Sequence, residues 1–424
     1  MAQRVIHHGD CLTVLTTLDA ESIDACVTDP PYGIGFMGKE WDTFKPGTGA
    51  TRKLMRPRER VAAKIVSDNP NIDGRHRSPA LSPSQIDYDY SAAGLRRFQA
   101  WTEEWAREVF RVLKPGAYIV VCGAPRAYHR MASGLEDAGF EIRDCLAWLF
   151  GSGFPKSLNL GEGLGTALKP AHEPIVLARK PFKGTVKGNV EKFGTGALNI
   201  DACRVGDDDT RRIKEGGRNN FPHEDDSWDP KTVEVGSEFG RWPANVVIDD
   251  LAAMVIDEQS GPLVSGGTPD HRSADKFRNA YGTFKGGIGS SEGGASRFYY
   301  CAKPSREERD MGCYGLQART AGECTDRKDG SAGLNNPRAG AGRTGGGRNF
   351  HPTVKPVELM RWLIRLVTPI DGTVLDPFLG SGTTGMAARY EQRAFIGIER
   401  EAEYIAIAER RIGSVVPLFA EQPA

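Results

Sequence analysis

A four-residue motif, Asp29-Pro30-Pro31-Tyr32, follows a stretch that is predicted to be a buried strand, Ile23 to Thr28. The Asp29 carboxylate and the Pro30 carbonyl can both accept hydrogen bonds from one amino group, and Tyr32 offers a flat face on which a base can stack. The exocyclic amine of adenine or cytosine is a poor nucleophile because its lone pair is delocalised into the ring. Two fixed acceptors would hold such an amine near tetrahedral geometry and direct its lone pair at an electrophilic methyl group. The motif therefore favours direct methyl transfer to an amine, with a purely structural Pro-Pro turn as the alternative.

A glycine-rich turn near the end of the chain forms a second candidate site. It follows a predicted strand, Thr373 to Leu375, and reads Asp376-Pro-Phe-Leu-Gly-Ser-Gly-Thr-Thr-Gly385, which fits the spacing GxGxxG. Glu399 follows Gly380 by 19 residues, at the end of the next predicted strand. Such glycines permit a tight turn and close approach to a ligand, and an acid at this distance can hold two ribose hydroxyls. The layout indicates an adenosine-containing ligand. A nicotinamide-dependent dehydrogenase and a merely structural glycine turn stay open at this point.

Both candidate sites lie in regions where strands and helices alternate. At the start of the chain, Arg4 to His7 is a predicted strand, Asp10 can cap a short helix that carries Leu12, Leu15 and Leu18, and Ile23 to Thr28 is the next strand. Such alternation predicts an α/β architecture with a mostly parallel sheet. The other predicted strands are Tyr118 to Cys122, Phe140 to Phe150, Glu173 to Ala178 and Ala394 to Ile398, and the other predicted helices are Phe98 to Val112, Arg126 to Ala138, Pro356 to Leu366, Thr384 to Tyr390 and Glu401 to Ile412.

Two irregular segments interrupt this pattern. Periodicity fades over residues 183–350, which predicts a loop-rich insert, and a second irregular stretch covers residues 33–90. Within the latter, Thr51 to Lys64 holds six basic residues against one acid, Glu59, so it is either a solvated mobile loop or a contact for a polyanion. The expected organisation is therefore a first half-domain over 1–182, an insert over 183–350 and a second half-domain over 351–424.

Composition limits the classes of function. The 424 residues include 55 basic and 55 acidic side chains, so a polyanion must be bound by a local patch and a histone-like global cation is excluded. The apolar runs are far shorter than the roughly 20 residues that span a bilayer, and the first residues lack a secretory signal, so a cytoplasmic protein is expected. The eight cysteines form no CxxC pair. The spacing of Cys301, Cys313 and Cys324 matches no zinc pattern, and we expect no metal.

Taken together, the motifs resemble the amino-group DNA methyltransferases that use S-adenosylmethionine. Asp29-Pro-Pro-Tyr32 is similar to the catalytic motif of that family, Asp376-Pro-Phe-Leu-Gly-Ser-Gly382 to its methionine-pocket motif, and His351-Pro-Thr-Val-Lys-Pro356 to the segment that closes over the cofactor. The order of the motifs is that of the circularly arranged beta class. The resemblance implies a Rossmann-like methyltransferase fold with a target-recognition region in the insert. Three further segments resemble a subgroup that is common in phages and prophages: Gly151 to Ser157, Gly194 to Asp201 and Arg241 to Asn245.

The resemblance also implies roles for individual residues. Asp10, with Cys11 beside it, would take the amino group of the cofactor adenine, and Glu399 would hold the ribose hydroxyls. Lys355 and Thr353 would bind the methionine carboxylate. Asp10 as a helix cap, Lys355 as a surface lysine and a Glu399–Arg393 pair are the structural alternatives. The remaining cofactor-binding candidates are His351, Asp376, Phe378, Gly380, Ser381, Gly382, Thr383 and Thr384.

The resemblance favours N6 of adenine in double-stranded DNA as the acceptor, because Asp rather than Ser precedes Pro-Pro-Tyr. The target base would be flipped out of the duplex. Methylation of N4 of cytosine is the runner-up, and a silent DNA-binding protein is a further alternative. A cytosine-C5 enzyme is disfavoured because the chain has no Pro-Cys dipeptide for a nucleophile. A homodimer is expected. The candidate DNA contacts of the insert are Arg204, Arg211, Arg212, Arg241, Lys303, Arg306, Arg343 and Arg348.

Overall fold

A computed structural model describes most of the two end regions and parts of the middle of the chain. The basic segment predicted at residues 33–90 lies outside the described residues, as do Arg211, Lys303, Cys324 and Arg343. The described residues are 4–32, 91–153, 159–207, 212–215, 232–235, 237, 239–266, 284–287, 290–302, 306–320, 322–323 and 346–415.

The chain divides into two compact units. The first unit comprises Met1–Ala147, Phe154–Leu198 and Lys303–Ala424, and the second unit comprises Trp148–Gly153 and Asn199–Ala302. The second unit is thus narrower than the predicted insert at 183–350. On the amino-terminal side, Asn189 and Thr195 bond to the Pro115 carbonyl of the first unit. On the carboxyl-terminal side, Arg309 bonds to the backbone at Asn349 and His351, which also belong to the first unit.

The first unit is built on a mostly parallel sheet. Its strands are β1 (Arg4–His8), β2 (Ile23–Thr28), β3 (Leu113–Cys122), β4 (Glu141–Leu149), β7 (His172–Arg179), β15 (Thr373–Asp376) and β16 (Ala394–Glu399), of which only the last two residues of β4 belong to the second unit. A small hairpin adds β5 (Asn159–Gly161) and β6 (Leu164–Gly165). The strand order is β1-β16-β15-β2-β3-β7-β4. Neighbouring strands from β1 to β3 run parallel, and β7 is antiparallel to β3. This order places β2 beside β15, so strands from the two ends of the chain are adjacent.

Helices cover both faces of this sheet. The helices are α1 (Cys11–Leu15), α2 (Ala92–Val112), α3 (Tyr128–Asp137), α4 (Val186–Phe193), α6 (Arg306–Asp310), α7 (Val357–Val367), α8 (Thr383–Tyr390) and α9 (Ala402–Ser414), while α5 (Asp250–Ser260) belongs to the second unit. Helices α1 to α3 form one core with Cys26, Ile119 and other alternate strand residues. The residues between them, such as Ala25 and Val120, are also buried, and α7 contacts β2 and β3. Burial on both faces is expected for a parallel sheet, and it explains why the strands are continuous apolar runs.

Most predicted elements of the two end regions are present, with small changes at their ends. Helix α1 ends at Leu15, before the predicted Leu18. The hydroxyls of Thr16 and Thr17 donate to the carbonyls of Thr13 and Val14 in the preceding turn, and such side-chain bonds compete with the helical backbone bonds. Strand β3 begins at Leu113, before the predicted start at Tyr118, and it includes Lys114-Pro115-Gly116, which lies between the predicted helix and the predicted strand. Gly116 there has φ +79°, a conformation that favours glycine.

The second unit contains short elements that the sequence did not predict. Its strands are β8 (Arg212–Glu215), β9 (Thr232–Val235), β10 (Val246–Ile248), β11 (Leu263–Gly266), β12 (Phe284–Gly287), β13 (Ser290–Gly293) and β14 (Tyr300–Cys301). The pairs are β8–β9, β8–β12 and β11–β13, all antiparallel, and β10–β14, which is parallel. Strands of two to four residues are too short to give a detectable alternation of polar and apolar residues, so the sequence predicted only a loop-rich insert here.

Candidate active site

Four acidic residues lie at one edge of the first unit's sheet. Asp10, Glu399, Asp376 and Asp29 lie at or just beyond the carboxyl ends of β1, β16, β15 and β2, which are consecutive in the sheet. Open α/β sheets bind their ligands at this edge because parallel strands all end there. The two predicted sites, far apart in sequence, are therefore adjacent in the fold.

Asp29 is the centre of a hydrogen-bonded network. Its Oδ1 accepts a hydrogen bond of 2.6 Å from the Tyr32 hydroxyl, and its Oδ2 accepts one of 2.8 Å from Lys355 Nζ. Lys355 also donates to the Tyr32 hydroxyl at 3.0 Å, and its Nζ lies 3.2 Å from Oε2 of Glu173. A carboxylate has about four acceptor directions, of which these two bonds use two. The network fixes the Asp29 carboxylate and keeps acceptor capacity for a further donor.

The pKa shifts of this network follow from burial and charge. Burial lowers the pKa of Lys355, but the carboxylates of Asp29 and Glu173 outweigh it, so the pKa lies above its usual value and the side chain is an ammonium. Burial, reinforced by Asp29, raises the pKa of Tyr32 well above its usual value, so the phenol is protonated and donates. Burial also raises the pKa of Glu173, against the opposing effect of Lys355. The hypothesis of a surface lysine at 355 is wrong, since this residue is 7% exposed.

Asp376 connects the glycine-rich turn to strand β2. Its Oδ1 accepts hydrogen bonds from the Thr28 hydroxyl at 2.7 Å and from the Phe378 amide at 3.1 Å, and Thr384 bonds to the same carboxylate. Burial raises the pKa of Asp376 to about 6, and these hydrogen bonds only partly oppose the shift. Since Thr28 directly precedes Asp29, the bond from Thr28 sets the two motifs side by side.

The glycines of the turn serve different purposes. Gly380 and Gly382 have φ of +53° and +82°, which only glycine adopts readily, so they shape the turn. At Gly385, by contrast, an added Cβ would lie 2.4 Å from the side chain of Ile412 on α9. That glycine therefore allows α8 and α9 to pack closely and is not placed for contact with a ligand.

Glu399 is held by backbone amides. Its Oε2 accepts a bond from the Gly380 amide at 2.8 Å, and its Oε1 accepts bonds from the amides of Arg400 and Glu401, each at 2.8 Å. Burial raises the pKa of this carboxyl, and the three amides oppose the shift. The alternative of a Glu399–Arg393 pair is not what the structure has: Arg393 donates to the Glu391 carbonyl.

The segment from His351 to Lys355 lies over the glycine-rich turn. His351 Nδ1 is 2.7 Å from the Thr353 carbonyl, and a Cβ on Gly380 would lie 2.9 Å from His351 Nε2. Burial lowers the pKa of His351 to about 4, so the ring is neutral at pH 7 and its Nδ1 donates to the Thr353 carbonyl. Asn349 and Arg309 bond to the backbone around this segment and fix its path.

The family model described as N6_N4_Mtase, DNA methylase, matches residues 23–410 of this chain. The chain belongs to this family. It is an amino-group DNA methylase, of the kind that modifies N6 of adenine or N4 of cytosine. Membership argues against the dehydrogenase that the glycine spacing left open.

Individual relatives are more distant. The chain is 23% identical over 424 residues to the type II methyltransferase M.HindIII of Haemophilus influenzae, covering 96% of this chain and 94% of the relative. It also matches the PvuII DNA methyltransferase (cytosine-N4-specific) with 14% identity and a TM-score of 0.44, covering 97% of this chain and 86% of the other. A DNA modification methylase of Thermus thermophilus in complex with S-adenosyl-L-methionine has 16% identity and a TM-score of 0.36, covering 97% and 95%.

The remaining predicted site residues occupy varied positions in this methylase. Asp10 caps α1, since its side chain accepts from the Leu12 amide, so the helix-cap interpretation is correct, and its role toward the cofactor stays a prediction. Cys11 begins α1, and burial raises the pKa of its thiol to about 12. Phe378 packs against Trp101 and Trp105, with ring centroids 5.5 and 5.3 Å apart.

Two important residues were missed by the sequence analysis. Arg411 is fully buried and its guanidinium donates to the Ser381 carbonyl and hydroxyl and to the Thr383 hydroxyl, at 2.8, 3.1 and 3.0 Å. Glu173, which faces Lys355, was assigned only to a strand. The available signal for Arg411 was a cation among the apolar positions of the last helix, and for Glu173 an acid beside an otherwise apolar strand.

Two of the cations proposed as DNA contacts, Arg204 and Arg241, have intramolecular partners. Arg204 pairs with Asp201 at 2.8 Å, and Arg241 donates to the Arg297 carbonyl and to Ser291. Arg348 lies in the first unit. The side chains of Arg212 and Arg306 are outside the described atoms.

Three further properties concern only the residues that the structure describes. Within those ranges, no three or more His, Cys, Asp or Glu side chains group so that they could hold a metal ion. No helix in the same ranges has the length and apolar character needed to cross a membrane. Of the cysteines, Cys26, Cys122, Cys203 and Cys313 are buried and unpaired by disulfides.

Proposed function

We propose that this methylase transfers a methyl group from S-adenosylmethionine to N6 of adenine in double-stranded DNA. The observation that carries the proposal is the Asp29 carboxylate, fixed by Tyr32 and Lys355 at the end of β2 and adjacent to the Asp376 turn. This arrangement presents an acceptor for an amino group at the edge of the sheet where ligands bind.

The acids along the sheet edge fit the proposed cofactor. S-adenosylmethionine offers an amino group on adenine, two ribose hydroxyls, an ammonium and a sulfonium, all of which are donors or cations. Asp10, Glu399 and Asp376 supply matching carboxylates at the ends of three neighbouring strands. Of the two residues assigned to the methionine carboxylate, Lys355 bonds to Asp29, so the proposal assigns that carboxylate to Thr353.

The chain's own residues then act on the target amine. The cofactor, when bound, supplies an electrophilic methyl group. The Asp29 carboxylate and the Pro30 carbonyl accept hydrogen bonds from the amine, and they stabilise the positive charge that develops on its nitrogen. Tyr32 provides a stacking face for the flipped base, and its hydroxyl bond to Asp29 holds the ring beside the acceptor. The methylated nitrogen then loses one proton to water, which restores the neutral base, and no covalent enzyme intermediate is required.

The choice of adenine rests on Asp29 itself, since Asp before Pro-Pro-Tyr resembles the adenine-specific pattern. The test is to incubate the purified protein with unmethylated DNA and labelled S-adenosylmethionine, digest the DNA to nucleosides and identify the methylated base by mass spectrometry. N6-methyladenine is the expected product. N4-methylcytosine would preserve the mechanism and replace the substrate, and no transfer to any DNA would overturn the proposal.

We also propose that the second unit recognises the DNA sequence. The whole chain is proposed to act as a homodimer, with one copy bound to each of two half-sites. The bounds of the second unit, at about 199–302, coincide with the central part of the predicted insert. Recognition is tested by measuring DNA binding of variants in which exposed residues of the second unit are substituted. The dimer is tested by light scattering with and without DNA. A strict monomer in both conditions would contradict the dimer.

A further inference from the structure

Glu173 reaches the active-site edge because its strand is reversed. Strand β7 is antiparallel to β3, with Cys122 opposite Ile175, and the Gly123 amide continues the pairing to the Pro174 carbonyl at 2.9 Å. The beginning of β7 therefore lies where the parallel strands end. Glu173 is the second residue of β7. In the strand order, β7 lies on one side of β2, whereas β15 and β16, which carry Asp376 and Glu399, lie on the other side.

Lys355 lies between two carboxylates. Its ammonium is 2.8 Å from Asp29 Oδ2 and 3.2 Å from Glu173 Oε2. Since Coulomb attraction varies as 1/r, the two attractions differ by only about 15% at equal dielectric constant. With both acids ionised, the three side chains carry two negative charges and one positive charge. The ammonium thus forms ion pairs with both carboxylates, and with both of them ionised the group carries a net negative charge.

Sharing matters because Lys355 and the target amine need the same acceptor. An ammonium paired with Asp29 alone would neutralise that carboxylate and compete with the incoming amine for its oxygens. A second carboxylate close to the ammonium offsets its positive charge and so restores negative charge at the position where the amine becomes positive. Removing Glu173 would leave Asp29 and Lys355 as a closed pair.

We propose that Glu173 is a positioning residue for methyl transfer: it shares the Lys355 ammonium with Asp29, so that Asp29 remains a charged acceptor for the target amine. This inference rests on the proposed function. It concerns a residue that acts through Lys355 and does not itself contact the reacting atoms.

The first test compares Glu173→Gln with the wild type. Gln keeps the shape and removes the charge, so kcat is expected to fall roughly 10- to 100-fold. The dissociation constants for S-adenosylmethionine and DNA are expected to change less than about threefold, because neither ligand is assigned to Glu173. Glu173→Asp, which keeps the charge on a shorter stem, is expected to recover part of the lost rate.

The matched control is Glu141→Gln, which removes an acid from the neighbouring strand β4. Glu141 pairs with Arg179 at 2.8 Å, and we assign it no part in methyl transfer. Its kcat should stay within about twofold of the wild type. Thermal unfolding of all variants identifies any that fail to fold.

A second readout reports on Lys355 without catalysis. The two carboxylates hold the ammonium protonated, so Glu173→Gln should lower the pKa of Lys355 and increase its labelling by an amine-reactive reagent above about pH 9, measured by mass spectrometry. Unchanged Lys355 labelling together with wild-type kcat in Glu173→Gln would overturn the inference. So would a loss of cofactor affinity equal to the loss of kcat, which would place Glu173 at the cofactor. Failure of the proposed function is distinguishable, since the wild type would then transfer no methyl group at all.

Discussion

Each of the two units is stabilised internally by a different kind of interaction. In the first unit, α7 buries eight of its eleven residues, and its core is a continuous set of apolar side chains from helices and strands. In the second unit, none of the residues of α5 is buried. There, Asp257 accepts bonds from the Ser296 amide and hydroxyl at 2.8 and 2.7 Å, and Arg297 donates to the carbonyls of Gly294 and Leu263.

The difference indicates how each unit positions its functional groups. A packed core fixes strand ends to within a fraction of an ångström, which a transfer reaction needs. A unit that is stabilised by side-chain bonds to backbone turns can change its surface residues with little effect on a core. The second unit also has exposed large apolar side chains, such as Trp242 and Met254, whose exposed fractions are 66% and 67%. Changes in the first unit should therefore affect catalysis and global stability, and changes in the second unit should be local.

The largest effect is expected for Asp29→Asn in the first unit. This change removes the charge that stabilises the developing positive charge on the amine, so the rate of transfer should fall roughly 10³-fold. Cofactor affinity, measured by calorimetry, should change less than about threefold, because Asp29 is assigned to the amine. A variant that retains more than about a tenth of the wild-type rate would contradict the role of Asp29.

Arg411→Met should give the next largest effect, on stability. The change leaves the Ser381 and Thr383 hydroxyls and two carbonyls without their buried donor, which should lower the free energy of unfolding by about 2–4 kcal/mol. Arg410→Met is the control, since Arg410 is exposed and its loss should cost less than about 0.5 kcal/mol. Urea unfolding measures both. Equal effects of the two changes would show that the buried bonds of Arg411 do not stabilise the first unit.

The neutral His351 should make the first unit sensitive to acid. Its pKa is about 4 in the folded chain against 6.5 normally, so the unfolded chain binds more protons between these values and stability falls as the pH falls through that window. Between about pH 7 and 5 the wild type should lose about 2 kcal/mol more than His351→Gln. Asp376, whose pKa of about 6 is raised, acts in the opposite direction but is common to both proteins. If the free energy of unfolding changed with pH by the same amount in both proteins, the lowered pKa of His351 would be contradicted.

The smallest effect is expected for Asp249→Ala in the second unit. Asp249 caps α5 through the Ala252 amide at 2.7 Å and also accepts from the Gly151 amide at 3.1 Å. Its loss should cost about 1–2 kcal/mol and should accelerate amide exchange in α5 with little change in the first unit. Glu258→Ala, at an exposed position of the same helix, should leave exchange unchanged. Faster exchange throughout the first unit as well would remove the distinction between the two units.

The sequence predicted the first unit well because its signals are local and strong. Long apolar runs such as Tyr118 to Cys122 identify strands that are buried on both faces. In the helices α2, α7 and α9, apolar residues recur with the period of an α-helix. The second unit was predicted as loops, since its short strands pair through backbone bonds that are nearly independent of side-chain type. The site residues named from the motifs lie together at one edge, while their roles toward the ligands remain predictions.

The sequence by itself therefore determined the alternation of strands and helices, the two motifs and the identity of the acidic groups, because each depends on residues that are close along the chain. The tertiary structure alone decided three other features: the neighbouring positions of β2 and β15, the burial of Lys355 against Asp29, and the entry of Glu173 from the antiparallel strand β7. These features join residues that are far apart along the chain, 326 positions in the case of Asp29 and Lys355. Only the order and direction of strands in the sheet specify such contacts, and neither is encoded in any local pattern of residues.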